Sequence, residues 1–322
     1  MDLDQFKETR QLIHPFCDVT ELRRAEFLEG QIGYSGRIFF KCDHLQRTGS
    51  FKLRGALSFL LRLSDSEKRR GVVTRSSGNY AQAFAYAGSL LGIPTQIVMA
   101  ENASPYKVQR TRDYGAEVII WGTDFIQGDQ KVAELTESEG RVISSSYDHP
   151  AVICGHGVLG LEMMDQLPTL GTFFGPVSGG GLLSGVSTAL KASSPAVRVV
   201  GVEPVEADDF AQSLRRGERL SIHSANTIAD GLRVLQVGIH NWPLLKRNVD
   251  DVALVSDNDI RQAMALIRER TGWMIEPSGA ASVAALLKSD VKTLQGDVVC
   301  ILSGGNIDPK VFEEEVNQLT NF

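Results

Sequence analysis

Several protein classes are excluded by what this sequence does not contain. It has no basic run of any length, and its 39 acidic side chains outnumber the 33 basic ones for a formal charge of -6. Neither nucleic acid nor an anionic membrane surface is therefore an expected partner. No apolar stretch reaches the roughly 18 residues that a membrane span needs. The opening MDLDQFKETRQL alternates charged with apolar residues and lacks the long apolar core and cleavage-like site of a signal peptide. Cysteine is scarce: Cys17, Cys42, Cys154 and Cys300 are scattered without CxxC spacing, each beside apolar neighbours. That pattern fits buried free thiols in a reducing cytoplasm better than disulfides or catalysis. No repeat, low-complexity tract or Pro/Gly/Ser-rich linker divides the chain, so a second domain is expected inside the first rather than tethered after it.

What is present is a 322-residue chain, 43% hydrophobic, long enough to bury a full core in two closely joined lobes. Short β-rich runs recur, each followed by a stretch of helical period, the signature of alternating strands and helices. Expected strands are Arg37 to Lys41, Gly71 to Thr74, Gln96 to Met99, Val118 to Trp121, Thr172 to Val177, Val197 to Val202 and Val298 to Leu302. Expected helices include Tyr80 to Leu91, one opening at Ser104-Pro105, where serine can cap and proline fits the first turn, and a tail from Pro309 to Phe322. The fold class is α/β: an open, mostly parallel twisted sheet with an inserted smaller α/β domain. The expected boundaries are 1–70 and 149–322 for the large domain and 71–148 for the small one.

Four segments carry candidate chemistry. In RTGSFKLRGA, Lys52 stands where a turn-prone segment gives way to a helix, near backbone N–H groups freed at the helix start. An amine held there, partly desolvated and depressed in pKa, has the properties of a Schiff-base lysine. The competing interpretation is a solvated lysine beside Arg54. In SSGNYAQ, Ser76, Ser77, Gly78 and Asn79 gather hydroxyls, an amide and free N–H groups at a helix N-terminus, a receptor for a carboxylate beyond what simple capping requires. In GPVSGGGLLSG, consecutive glycines can curl the backbone into a nest of N–H donors around a phosphate. Gly179 and Gly181 also begin a dinucleotide fingerprint with Glu203 about 20 residues on, but Ser184 occupies the third glycine's position. In VVCILSGGNID, Ser303 follows an apolar strand at the carboxyl end, where open α/β sheets bind ligands. Past another strand, Glu203, Asp208 and Asp209 are acidic, and Glu203 with Asp209 could share a hard divalent cation, Mg²⁺ or Ca²⁺.

Taken in order and spacing, KCDHLQRTGSFKLRGA, SSGNYAQ, PVSGGGLLSG, TIADGL, EPSGAA and LSGGNID closely resemble the serine/threonine dehydratase and serine racemase family. The resemblance runs from about Arg37 to Pro309. It implies the second of the known folds of pyridoxal phosphate enzymes, with Lys52 as Schiff-base residue and Phe51 against the cofactor ring. Asn79 would bond the ring hydroxyl, Ser178, Gly179, Gly180, Gly181 and Leu182 would hold the phosphate, Gly231 and Glu276 would border the ring, and Ser303 would meet the pyridine nitrogen. Glu203, the Ala207 carbonyl and Asp209 match the divalent site of racemase-like members, and Ser77 matches the racemase's second proton-exchanging residue.

The implied activity is that of an ammonia-lyase, a dehydratase acting on a β-hydroxy-α-amino acid such as threonine or serine. The alternatives are an amino-acid racemase with the same cofactor and, from another class, a dinucleotide-dependent oxidoreductase. A small amino acid is the expected substrate, with Ser76, Ser77, Asn79 and Tyr80 around it, and a homodimer the expected assembly. Departures fall on the approach to the substrate side chain: Tyr80 replaces a histidine, His44 an asparagine, His156 a glutamine, and SSSYDHP stands where HPFDDP-like text is usual. Asp129 aligns with an arginine that receives a second carboxylate in the racemase, which disfavours hydroxyaspartate and leaves room for a cationic side chain.

Overall fold

A computed structural model describes residues 1–319. Ten strands form two sheets: β1 (Leu22–Arg24), β2 (Ile38–Lys41), β3 (Val72–Arg75), β4 (Thr95–Met99), β5 (Glu117–Ile120), β6 (Val142–Ile143), β7 (Leu170–Pro176), β8 (Arg198–Pro204), β9 (Asp251–Val255) and β10 (Asp297–Ile301). Six pair in the order β1-β2-β10-β7-β8-β9, all parallel except the β1–β2 pair. The other four form a parallel sheet in the order β5-β4-β3-β6. All seven expected strands are present. β1, β6 and β9 lie outside the expected set, because two are only two or three residues long and β9 is largely half-exposed.

Parallel strands need cover on both faces, and the residue alternation supplies it. On one face of the six-stranded sheet, Val298 and Cys300 of β10 pack with Ile260, Met264, Ala280 and Val283 of the helices Asp257–Thr271 and Pro277–Lys288. On the other, Val299 and Ile301 pack with Leu159, Leu183 and Val186 of the helices Pro150–Gln166 and Gly181–Ser193. The four-stranded sheet repeats the scheme. Val72, Ile97 and Met99 face the helices Lys52–Leu60 and Asn79–Leu90, and Val73 and Val98 face Val132 and Leu135 of the helix Phe125–Glu139. The Lys52–Leu60 helix contacts the helices Asn79–Leu90 and Pro150–Gln166, so the two sheets share a core around it.

Ser104 does hold the N-cap position with Pro105 in the first turn, but its side chain makes no capping bond, since its backbone lies outside the usual extended cap region (φ -53°, ψ 122°). The last helix covers Pro309–Asn317, and residues 320–322 of the expected tail lie outside the described residues. All four cysteines are buried free thiols. No helix among the described residues is long and apolar enough to cross a membrane.

Candidate active site

The carboxyl ends of β2, β10, β7 and β3 meet where the two sheets approach each other, and the four motifs lie there. After β7 the chain turns through Ser178, the only non-glycine among the described residues at positive φ (52°), and Gly180 (φ 92°) before a helix begins at Gly181. The first intrahelical acceptor is the Gly180 carbonyl, taken by the Ser184 amide at 2.8 Å, so the amides before it have no helical partner. Glycine is required by contact as well as by dihedral angle. A Cβ at Gly179 would come within 2.5 Å of the Tyr147 ring, and one at Gly181 within 2.8 Å of the Tyr147 carbonyl. Ser178 Oγ donates to the Gly231 carbonyl at 2.9 Å, and Asn241 Nδ2 donates to Gly179 O at 2.9 Å, which fixes the loop from the opposite side.

Lys52 opens the helix Lys52–Leu60. Its amine does not point at freed N–H groups, as expected from sequence, but donates to the Ser146 carbonyl at 2.9 Å, one residue before the tyrosine that covers the glycine loop. The side chain runs over the rings of Phe51 (5.0 Å) and Tyr80 (5.9 Å). Burial lowers the Lys52 pKa to about 8, with Glu276 pulling the other way. The solvated alternative also fails for its neighbour, because Arg54 is fully buried. Beside Lys52, the Asn79 amide donates to Glu276 Oε1, while Asn79 Oδ1 accepts from Asn306 Nδ2 at 2.8 Å. Glu276 is 2% exposed, and burial raises its pKa to about 7 against the pull of Lys107. Its second oxygen has no hydrogen-bond partner. A side chain at Gly304 would strike Glu276 at 2.1 Å, so the SGGN turn after Ser303 needs glycine there.

In the SSGN turn, Ser76 Oγ accepts from the amides of Gly78 (3.4 Å) and Ala81 (3.2 Å), and Ser77 Oγ accepts from Ala100 N at 3.0 Å. Both hydroxyls keep a proton to donate. Tyr80 does not present its hydroxyl to the cleft. It is 1% exposed, stacks on Phe84, bonds Ser144 Oγ at 2.6 Å, and burial raises its pKa. His44 and His156 are also set back from the expected approach. His44 packs on Trp273 and His156 on Phe51, and burial lowers their pKa values to about 4 and about 3, so both rings are neutral. Asp129 is exposed but already faces a cation, because Arg75 Nε donates to it at 2.5 Å.

Glu203 and Asp209 face each other, almost fully buried. Glu203 accepts from the amides of Phe210 (3.2 Å) and Ala211 (2.8 Å), Asp209 Oδ2 accepts from Val237 N at 2.8 Å, and Asp209 Oδ1 has no partner. Burial first, then the Asp209 charge, raises the Glu203 pKa, and burial raises that of Asp209 to about 7. No cluster of three or more metal-ligating side chains forms among the described residues.

Sequence reasoning missed Ser146, Tyr147, Asn306, Lys107 and Asp230. Ser146 and Tyr147 lie within SSSYDHP and Asp230 within TIADGL, segments singled out without a role for these residues. Asn306 was legible within SGGN, whereas Lys107 sits in a helix whose sequence reads as an ordinary solvated surface.

A family model described as "Pyridoxal-phosphate dependent enzyme" matches residues 13–304. An L-threonine ammonia-lyase of Geobacter sulfurreducens is 39% identical over 93% of this chain and 74% of its own length. A serine racemase of Oryza sativa subsp. indica is 38% identical over 98% of this chain and 94% of its own. Among solved structures, maize serine racemase superposes with a TM-score of 0.93 at 36% identity, covering 98% of this chain and 97% of that one.

Proposed function

The chain belongs to the pyridoxal-phosphate dependent enzyme family, and we propose that it is an ammonia-lyase of the threonine/serine type, converting a β-hydroxy-α-amino acid to a 2-keto acid and ammonia. The observation that carries this reading is the Lys52 amine, partly buried, with its pKa lowered to about 8, beside the loop that Tyr147 covers.

The residues fit pyridoxal phosphate: a glycine cradle that any Cβ would fill, with helix-start amides that have no helical partner, suits a phosphate. Ser178, Gly179, Gly180, Gly181 and Leu182 would hold the phosphate. Phe51, Gly231 and Glu276 would border the ring, Asn79 would bond its hydroxyl, and Ser303 would meet its nitrogen. When bound, the cofactor supplies the electron sink that makes the substrate α-proton acidic. Lys52 would take that proton as general base near neutral pH, the β-hydroxyl would leave with a proton as water, and hydrolysis of the released enamine would give the keto acid and ammonia. Ser76, Ser77 and the helix start at Asn79 receive the substrate carboxylate. Ser303 puts a neutral hydroxyl, not a carboxylate, at the end of β10, so nothing there holds a ring nitrogen protonated, which favours loss of a β-substituent over transamination. Borohydride reduction followed by peptide mapping is expected to find the pyridoxyl group on Lys52. An assay for keto acid and ammonia across a panel of β-hydroxy amino acids tests the reaction, and release of neither from any of them would remove the lyase reading.

Racemisation is the second reading, favoured by the racemase relatives and by Ser77, whose hydroxyl proton is left available by its bond to Ala100 N. Elimination needs only the Lys52 side of the substrate, whereas inversion at Cα needs a proton from each side. Ser77→Ala is therefore expected to lower racemisation and activity on D-substrates by about 10²-fold or more, and dehydration of L-substrates by much less, since Ser76 and the helix start at Asn79 still receive the carboxylate. Chiral chromatography beside the keto-acid assay measures both. Equal loss of the two would make Ser77 a carboxylate ligand only.

A divalent cation, Mg²⁺ or Ca²⁺, bound by Glu203, Asp209 and the Ala207 carbonyl would neutralise two buried carboxylates that otherwise repel each other. Chelation is expected to lower the melting temperature, with recovery on adding Mg²⁺ or Ca²⁺. Unchanged metal content and stability in Asp209→Ala would remove the site. A two-lobed division at residues 71–148 and a homodimeric assembly complete the proposal. The four-stranded sheet, confined between Val72 and Ile143, supports the first.

A further inference from the structure

Lys107 belongs to none of the motifs that pointed to the site, yet its charge ends inside it. It lies on the helix Pro105–Asp113, which packs on β5 and on the helix Asn79–Leu90, in the part of the molecule built on the four-stranded sheet. Its ammonium crosses to the other part, 2.5 Å from Asp230 Oδ2 and 3.5 Å from Glu276 Oε2. Only 8% of its side chain is exposed. Asp230 precedes Gly231, and Glu276 holds the N-cap position, without a side-chain capping bond, of the helix Pro277–Lys288 that covers the six-stranded sheet. Glu276 in turn accepts from Asn79, and Asn79 accepts from Asn306, whose own amide donates to Thr48 O at 2.9 Å. One polar chain, Asp230–Lys107–Glu276–Asn79–Asn306, thus joins the two sheets' parts twice, through Lys107 and through Asn79.

The charges around Glu276 are few: Lys107 from one side, Asp230 behind it, and Lys52 from the helix Lys52–Leu60. Burial works against its carboxylate, Lys107 supports it and Asp230 opposes it. Burial also works against the Lys107 ammonium, but Asp230 and Glu276 outweigh it and hold its pKa above the ordinary lysine value. We propose that Lys107 is a positioning residue: by bridging Asp230 and Glu276 it clasps the two parts of the molecule across the cleft and holds Glu276 where it orients the Asn79 amide. Only the consequence for turnover rests on the lyase reading of the site.

The holoenzyme tests this with two substitutions that act on Glu276 in opposite directions. Lys107→Met removes the supporting cation, so the limb of the turnover–pH profile that belongs to Glu276, identified by its loss in Glu276→Gln, moves up by about one unit or more. Asp230→Asn removes the opposing anion, and the same limb moves down. Lys107→Arg keeps the charge and restores the wild-type position. Independently of any turnover, amide hydrogen exchange over residues 105–113 is expected to quicken by roughly tenfold or more in Lys107→Met, because a clasp with a buried partner is broken. Damage to packing alone would move both limbs the same way or neither. Wild-type exchange in Lys107→Met, or a limb that stays in place or shifts alike in both variants, overturns the proposal. If Lys107→Met does not fold, the direction of the shift in Asp230→Asn decides it. Absence of any substrate would defeat the lyase reading and leave the exchange measurement to test the clasp.

Discussion

Lys52→Ala is expected to lose turnover by at least about 10²–10⁴-fold, the range that a positioned general base contributes, and to leave no lysine for borohydride to fix to the cofactor. A drop in pKa from 10.5 to about 8 raises the neutral share of the amine at pH 7 by about 300-fold. Burial produces that drop, and a substitute must preserve neutrality as well as length. Lys52→Arg therefore fails too, since a guanidinium stays protonated at every accessible pH. The sign of the pH dependence follows. The amine is charged below about 8 and neutral above it, so uptake of pyridoxal phosphate by the apoprotein quickens as pH rises through that value. Measured uptake rates that are flat from pH 6 to 9 would mean that Lys52 is not desolvated in solution.

The second large effect is on stability. Two residues beyond Lys52, Arg54 donates twice to Asp43, at 2.9 Å each, and twice to Glu162, at 2.6 and 3.1 Å. Glu162 also accepts from Lys41 at 2.8 Å, and Thr20 donates to Asp43 at 2.7 Å. All four charged side chains are essentially excluded from water. Arg54→Met leaves three charges buried with two carboxylates under-matched, so it is expected to cost about 3–5 kcal/mol, a large share of the ~5–15 kcal/mol that holds a typical domain together. Arg54→Lys, which puts a single ammonium in place of a planar fork, would recover little. Burial pushes the Asp43 pKa up, but Arg54 outweighs it and holds the carboxyl below its usual 3.8. A depressed carboxylate contributes stability above its unfolded pKa and loses it as pH falls through the folded one, so this contribution is present at neutral pH and lost only in strong acid. Denaturant unfolding of Arg54→Met at pH 7 measures the cost. A loss below about 1 kcal/mol would mean that the surrounding side chains or water replace the guanidinium.

The parallel strands and the glycine turns were legible from sequence because they obey local rules. An apolar run of five residues followed by small residues and a helical period is a strand, a turn and a helix wherever the run is buried on both sides, as Val298 to Leu302 are. Chemistry at strand ends followed from the same reading. What escaped depends on partners distant in sequence. Tyr80 looked like a substrate contact because it follows Asn79, yet a helix turns by about 100° per residue, and that rotation buries its ring between Phe84 and the Lys52 amine. Asp129 looked like an open carboxylate until β3 brought Arg75 to it. Lys107 carried no signal at all, since an amphipathic surface helix and a clasp have the same local composition. The family resemblance, in contrast, assigned roles to Phe51 and Gly231 that no local rule would have suggested.

The strand order has a consequence for synthesis. β10 is the last strand in chain order among the described residues, yet it lies between β2 and β7, with Val298 beside Ile38 and Thr172. A nascent chain that has not yet emitted Asp297–Ile301 holds two fragments of sheet, β1-β2 and β7-β8-β9, separated by a gap of one strand, each with an open apolar edge. Such edges invite pairing with other chains. Ribosome-bound chains stalled before residue 297 should therefore recruit holding chaperones and fail to take up cofactor, and release of the final strand should complete the sheet and the site in one step.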